Sequence, residues 1–448
     1  MKLNFTLRKL TEVMHGKQVG GSPDTVVTSF VTDSRIVAPG DAFIALKGEQ
    51  FDARQFIGQV LEKGANVVIA QEEGFTVPTN TKAAFILVPD TKHALQAIAK
   101  YHRQHSTLKV AAITGSNGKS TTKQMLRAIC QTAGETVANV GNFNNQFGVP
   151  FSLLEIQPKH KFGIFELGAS HPGDIEETAR LAIPDVAVIT NVSAAHLACF
   201  KDLETVYKTK TEIAHCLNKG GTLVYNADNE YLARLKKEFT GKQISFGFAQ
   251  SADLRVLDTQ DFSFIYQGKA FILQKHFERH DKLNAAAACA AAFALGLSEE
   301  NIRQGLLSFT PMPMRLERID KKGVHFILDC YNANPASMQT ALEILGREKS
   351  SPKIAVLGDM KELGDTSKDY HRLVAHHVVE NGINEVFLAG PEMHYAYDIL
   401  KTASGVKAHY SLSSKAWLAD LQKALTPGAV CLIKASRSMR FENIFKEI

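Results

Sequence analysis

The chain has 448 residues, of which 45% are hydrophobic and 22% charged, the balance of an ordinary globular protein with room for two to four domains. Its formal charge of +5 is spread along the chain, and basic clusters such as Arg234, Lys236 and Lys237 are broken by apolar residues. They read as solvated helix faces, so a nucleic-acid partner is not expected, while a polyanionic substrate is compatible. Six scattered cysteines without a C-x-x-C pair exclude a disulfide framework and a zinc site, the usage of a reducing cytosol. The N-terminal stretch lacks the apolar core of a signal peptide, and the run Ala285 to Leu297 is far short of the ~20 residues of a membrane span. A cytoplasmic protein without membrane insertion is the expectation.

Residues 1–106 read as a first α/β unit of short strands and two helices. TVVTSFVTD (25–33), DAFIAL (41–46), VVIA (67–70) and AFILVP (84–89) are strand-like, and FIGQVLEKG (56–64) is a helix ending at Gly64. The stretch 91–106 carries Ala94, Leu95, Ile98 and Ala99 at helical spacing behind Thr91 as the expected cap. A second unit, 107–312, alternates strand and helix through LKVAAIT, TVANV, KFGIFELG, DVAVITNV and GTLVYNA, which implies a mostly parallel sheet. A hairpin over 261–274 is expected to turn at Gly268-Lys269, ahead of an alanine-rich helix over 281–296 and a linker marked by Pro311 and Pro313. The third unit, 313–448, repeats the rhythm with HFILDCY, KIAVLGD, EVFLAG and AVCLIKAS, a doubly wound, Rossmann-like pattern.

The chemistry concentrates at VAAITGSNGKSTTKQML (110–126): an apolar strand, a glycine turn, Lys-Ser, then a helix. Gly115 and Gly118 would present backbone N–H groups to phosphate oxygens, Lys119 would meet the β/γ-phosphates, and Ser120 would place its hydroxyl on Mg²⁺. The full phosphate-loop spacing needs a glycine where Ile113 stands, so a plain strand–helix turn with a surface lysine fits the loop equally well. Its neighbours carry the decision. Glu166 falls at a predicted strand end and His196 follows another, while Lys210 lies on a predicted helix. Singly, each has a bland account: a helix cap, a satisfied loop histidine, a solvated lysine.

Together these segments resemble the Mur ligases, the ATP-dependent amide-forming enzymes of peptidoglycan precursor synthesis, over all three units. The family's ATP loop is the short form T-G-[ST]-N-G-K-[ST], which Thr114 to Ser120 match at every position. The resemblance implies ATP contacts from Gly115, Ser116, Asn117, Gly118, Lys119, Ser120 and Thr121. It carries adenine and ribose contacts to His280 and Asn284 in RHDKLNAAAA, and a terminal-phosphate contact to Arg315 in MRLE. Asp359 in VLGDMKELGD is the ribose or domain-contact residue it suggests. Two Mg²⁺ ions are implied, held by Ser120, Glu166, His196 and Lys210, the last as a carbamate; Lys119, Lys210, His196 and Arg315 form the implied catalytic set. The Y-N-A-N-P form at 331–335 is typical of the members that add D-Ala-D-Ala to UDP-MurNAc-tripeptide. Ser34 and Arg35 in TDSR then suggest nucleotide-sugar contacts, Asn144 and Asn145 the sugar-peptide side, and Asn332, Asn334, Lys434 and Arg437 the incoming dipeptide. Structural roles explain Ser34 and Arg35 nearly as well, and salt bridges Lys434 and Arg437.

The chain departs from the family pattern at Cys330, Ala435, Ala198-Cys199 and Lys201-Asp202. None of these is an implied catalytic residue. A folylpolyglutamate synthase is disfavoured by the unit that precedes the loop, and a ligase for an earlier residue by Y-N-A-N-P. A nucleotide-binding regulator without catalysis is disfavoured by the intact Lys119, Ser120, Glu166, His196 and Lys210. A monomer is the default expectation.

Overall fold

A computed structural model describes residues 5–48, 51–79, 81–194 and 197–448. His196 lies outside the described residues. Three main sheets follow one another along the chain.

The first has five strands in the order Lys17–Val19, Ala84–Val88, Val67–Gln71, Ala42–Ile44, Phe30–Val31, all parallel except the first pair. The expected strand 25–33 is two pieces, because Val26–Val27 pairs with Phe5–Thr6 while Phe30–Val31 pairs with Ala42–Ile44. A helix at Leu7–Val13 adds to those foreseen. The helix Thr91–Gln104 is capped by Asp90, whose carboxylate accepts from the His93 N–H at 2.8 Å. Thr91, the expected cap, instead accepts from the Lys47 N–H.

Among the described residues the middle sheet has nine strands. Lys109–Thr114 runs in its centre, between Phe162–Glu166 and Val186–Ile189, and all three strands are buried on both faces, as their unbroken apolar runs require. Lys242–Gly247 and Leu254–Val256, not foreseen, extend the sheet to the hairpin Asp261–Tyr266 and Lys269–His276. That hairpin turns on Gln267 and Gly268, with φ of 49° and 75°, one residue earlier than expected; a two-residue turn with both φ positive matches the strand twist. The helix Lys119–Gln131 buries Met125, Leu126, Ile129 and Cys130 against the alanine-rich helix Arg279–Ala294.

The third sheet runs Glu317–Lys321, Val324–Leu328, Val430–Lys434, Lys353–Gly358, Glu385–Ala389, Lys407–Ser411, parallel after the first pair.

The first two units share one apolar core. Leu7, Ile44, Ile69, Leu95 and Ile98 belong to the same cluster as Val110, Leu153, Phe165 and Ile189. The helix Thr91–Gln104 joins them, with polar ties from Gln96 to Glu177 and from Arg103 to the Ala182 carbonyl. The two third-unit clusters contain no described residue before Met314. Its contacts with the middle unit are mostly polar, one being the Ala198 N–H donating to the Glu362 carbonyl at 3.1 Å. Ala198 also lies where a Cβ on Gly364 would come within 3.0 Å of its Cα.

Candidate active site

A cavity of ≈ 1140 Å³ opens between the middle and third units. Its described lining begins at Gly115, so nothing from the first unit lines it.

Its floor is the loop after Lys109–Thr114. Gly115 and Gly118 have φ of 142° and 80°, and a Cβ at either would sit 2.0 Å from Thr190 Oγ1 or 2.2 Å from Asn284 Oδ1. Only glycine fits both the backbone and the space. The loop tip is tied on every side. The Asn117 N–H donates to Asn191 Oδ1 at 2.8 Å and its side-chain amide to Ser193 Oγ at 3.1 Å, while its carbonyl accepts from Thr190 Oγ1 at 2.5 Å. Lys119 Nζ curls onto the Gly115 and Ser116 carbonyls at 2.6 and 3.1 Å. Burial lowers its pKa against the pull of Glu166, with Arg315 adding to the lowering. The following helix N-terminus adds its dipole to this anion-binding floor.

Glu166 is the last residue of its strand and 3% exposed. Its carboxylate accepts from Ser120 Oγ at 2.6 Å and from the Asn144 side-chain amide at 2.9 Å. Burial alone would raise its pKa; Lys119 and Lys123, with the hydrogen bonds from Ser120 and Asn144, outweigh this and hold it below the usual carboxylate range. Lys123, buried, stands 3.8 Å from Glu166 Oε2 and donates to the Asn139 carbonyl at 2.8 Å. Neither Lys123 nor Asn139 was singled out from sequence. The available signal was the stripe Lys119, Lys123, Leu126, Cys130 along one helix face.

Lys210 also lines the cavity, 2% exposed on the helix Leu203–Thr211, its Nζ 5.6 Å from the Phe200 ring centroid. Burial, reinforced by Lys119 and opposed by Glu212 and Asp174, lowers its pKa to about 7. On the nucleotide side His280 stands 3.4 Å from Asp281, and Asn284 donates to Asp281 at 3.2 Å. Burial opposes charge on His280, but Asp281, with Asp329 and Glu278, raises its pKa overall. Asp281, adjacent to both expected contacts, was missed because its neighbours drew the comparison.

From the third unit Arg315 stacks on Tyr331 at 4.1 Å and donates through Nη2 to Ser120 Oγ at 2.9 Å. Its buried Nε has no hydrogen-bond partner, an orphaned donor facing a site for anions. Asn334 caps the helix Pro335–Arg347 and donates to Asn117 Oδ1 at 2.7 Å. Lys434, 1% exposed, is bound to Asp329 at 2.5 Å and to the Asn332 carbonyl at 3.1 Å, while Arg437 pairs with Glu442 at 2.8 Å. Asn144, Asn145, Asn332, Asn334, Lys434 and Arg437 all line the cavity, as do Ser116 and Thr121.

Three residues named from the sequence lie outside the cavity. Asp359 is fully buried, with its oxygens taken by Lys361 at 2.7 Å and by the Glu392 and Met393 N–H groups; it organises its own unit and does not line the cavity. Arg35 is turned to Asp33 on the surface, and the Ser34 carbonyl is held by Lys63 Nζ at 2.8 Å; both lie away from the cavity.

Among the described residues no group of three or more His, Cys, Asp and Glu could hold a metal ion. The buried Glu166 carboxylate beside the Ser120 hydroxyl is nevertheless a hard-oxygen pair at a phosphate-binding floor. That donor set fits Mg²⁺, which uses one or two protein oxygens and takes the rest from phosphate and water.

Fold and site define a nucleotide-binding ligase with three α/β units. The Mur ligase middle domain matches residues 113–294, the Mur ligase glutamate ligase domain residues 314–437, and the Mur ligase family catalytic domain residues 26–103. The chain is 33% identical to the UDP-N-acetylmuramoyl-tripeptide–D-alanyl-D-alanine ligase of Buchnera aphidicola subsp. Baizongia pistaciae, over 100% of this chain and 98% of that protein. A MurF crystal structure from Acinetobacter baumannii superposes with a TM-score of 0.92 at 32% identity, covering 100% of this chain and 99% of the other. The Thermotoga maritima MurF ligase in complex with ADP gives 0.82 at 29%, covering 93% and 96%. The chain belongs to the Mur ligase family.

Proposed function

We infer that the protein joins D-Ala-D-Ala to UDP-MurNAc-tripeptide with ATP, releasing ADP and phosphate, as the last cytoplasmic step to the UDP-MurNAc-pentapeptide precursor of peptidoglycan. The observation that carries this reading is one cavity holding Lys119, the Ser120–Glu166 pair, Lys210 and Arg315, in a chain alike at full length to ligases named for that substrate.

The tripeptide's free carboxylate attacks the γ-phosphorus of ATP, and the bond to the β-bridging oxygen breaks to give an acyl phosphate and ADP. The dipeptide amine then attacks the acyl carbon, phosphate leaves, and the amine proton passes to solvent or a cavity base. Positioning and charge neutralisation dominate such phosphoryl transfers. The Gly115–Ser120 N–H groups cradle phosphate, and Lys119, released from the two loop carbonyls, meets the β/γ-oxygens. Arg315 leaves Ser120 for the terminal phosphate, satisfying its orphaned Nε. Ser120 and Glu166 would hold Mg²⁺, which would neutralise developing phosphate charge; Lys210, together with His196 from outside the described residues, would serve a second such ion.

Lys210 as an ammonium would repel a cation. With its pKa lowered to about 7, a large neutral fraction is present near neutrality to add CO₂, and the resulting carbamate offers carboxylate-like oxygens. His280 and Asn284 face the adenosine, with Asp281 orienting His280. Residues 1–106 hold the UDP end, 107–312 bind ATP, and 313–448 bring Asn332, Asn334 and Arg437 to the dipeptide. The Pro311–Pro313 linker beside Arg315 is the hinge, and the working unit is a monomer.

The test is phosphate release from MgATP with UDP-MurNAc-tripeptide, with and without D-Ala-D-Ala, and mass spectrometry of the product. Release requiring both substrates, with the pentapeptide mass, is expected. ATP binding without release would assign another acceptor.

A further inference from the structure

Lys123 and Asn139 take no part in the steps above, yet both are buried beside the carboxylate on which those steps depend. We propose that Lys123 is a positioning residue that locks the loop 139–145 against Glu166 and thereby sets how that carboxylate meets a divalent cation. The proposal rests on the reading of Glu166 as a cation ligand.

Lys123 follows Lys119 by one helical turn, but its chain descends beneath the loop and is 0% exposed. A buried ammonium is costly unless it is paired and hydrogen-bonded, so a stripe continuing into Leu126 and Cys130 would pack more cheaply with Met at this position. What the charge obtains is the Asn139 carbonyl at 2.8 Å and Glu166 Oε2 at 3.8 Å. The Asn139 side chain is in turn spent on the Glu166 peptide: Nδ2 donates to its carbonyl at 2.8 Å, and Oδ1 accepts from its N–H at 2.9 Å. Nδ2 also donates to the Phe143 carbonyl at 2.9 Å, fixing the loop that delivers Asn144 to the carboxylate. One lysine therefore faces the Glu166 head group directly and reaches its backbone through Asn139.

Clamp and charge predict opposite signs. A nearby cation taken alone weakens Mg²⁺ binding, so its removal would tighten it; a clamp strengthens binding, so its removal loosens it. The experiment is calorimetry of ADP binding to the full chain with and without Mg²⁺, for wild type, Lys123→Met, Asn144→Ala and Glu166→Gln. The wild type is expected to bind ADP more tightly with Mg²⁺. Lys123→Met is expected to lose about tenfold of that tightening, the low end for supporting contacts at metal sites, with less than about a twofold change in metal-free ADP binding. Asn144→Ala, half-buried and outside the core, moves in the same direction and serves alone if Lys123→Met does not fold. Tightening kept or increased in Lys123→Met overturns the clamp, as does wild-type behaviour of Asn144→Ala. Tightening retained by Glu166→Gln, or absent from the wild type, instead overturns the cation reading of Glu166 and this inference with it.

Discussion

The middle unit meets its two neighbours through surfaces of opposite character. Toward the first unit it offers an apolar core, continuous from Leu7 and Ile98 to Phe165 and Ile189. Toward the third it offers mainly single hydrogen bonds: Arg315 to Ser120, Asn334 to Asn117, and the Ala198 N–H to the Glu362 carbonyl, with Tyr370 as the apolar exception. Burying apolar area makes a joint that stays shut, whereas polar contacts exchange with water at small net cost and can be remade around a ligand. The cavity lies at the second joint, where an enzyme that must admit three substrates and then exclude water needs freedom.

Changes on either side sharpen the contrast, the largest first. Arg315→Ala removes the third unit's cation from the phosphate end. A fall in kcat of about 10³-fold with an unchanged urea midpoint is expected, the lower range for arginines acting on transferring phosphates. A comparable loss of stability would mean that the joint is structural. Leu95→Ala, in the shared core, is the mirror case. It should cost about 3 kcal/mol in urea unfolding and leave ADP affinity of the folded protein unaltered; a change of less than about 1 kcal/mol would show that the core does not bind the units together.

Lys210 probes the cavity wall between these joints. Its lowered pKa of about 7 means protonation below that pH and a neutral amine above it, so carbamate formation rises with pH. At constant dissolved CO₂, a ¹³C-carbamate signal dependent on Lys210 should grow at least about tenfold from pH 6 to pH 8, because the neutral fraction rises and carbamate formation itself releases a proton, until the site is filled. A signal flat across this range, or unchanged in Lys210→Ala, would sink the carbamate. The smallest effect belongs to Asn334→Ala, which removes one neutral hydrogen bond across the polar joint. About a fivefold rise in KM for the dipeptide, near 1 kcal/mol, is expected from steady-state kinetics, together with about 1 kcal/mol lost in urea unfolding because Asn334 also caps the helix Pro335–Arg347.

The same contrast governs what could be read in the sequence. Strands buried on both faces, such as Lys109–Thr114 and Phe162–Glu166, are unbroken apolar runs, and the loop between strand and helix is a contiguous motif. Those features are local, so the loop was legible, whereas Glu166 and Lys210 stood out only through the resemblance to the Mur ligases. Lys123 was not legible, because a lysine on a helix reads as solvated until the fold closes a lid over it. Asp359, named through the resemblance as a ribose or domain contact, is held within its own unit, where the N–H groups of Glu392 and Met393 bind its carboxylate. Ser34 and Arg35 drew the same kind of assignment from a short motif, with no tertiary neighbour to check it. Strands such as Leu254–Val256 are short and take their identity from the strands beside them.

The approach of Ala198 to Gly364 bears on inheritance. Gly364 has φ of 56°, and a Cβ on it would lie 3.0 Å from the Ala198 Cα, so both backbone and space favour glycine there. Such a Cβ would press on the Ala198 backbone and would push the polar joint there. An exchange of residues 313–448 would therefore need glycine kept at 364 for the two units to seat as they do here.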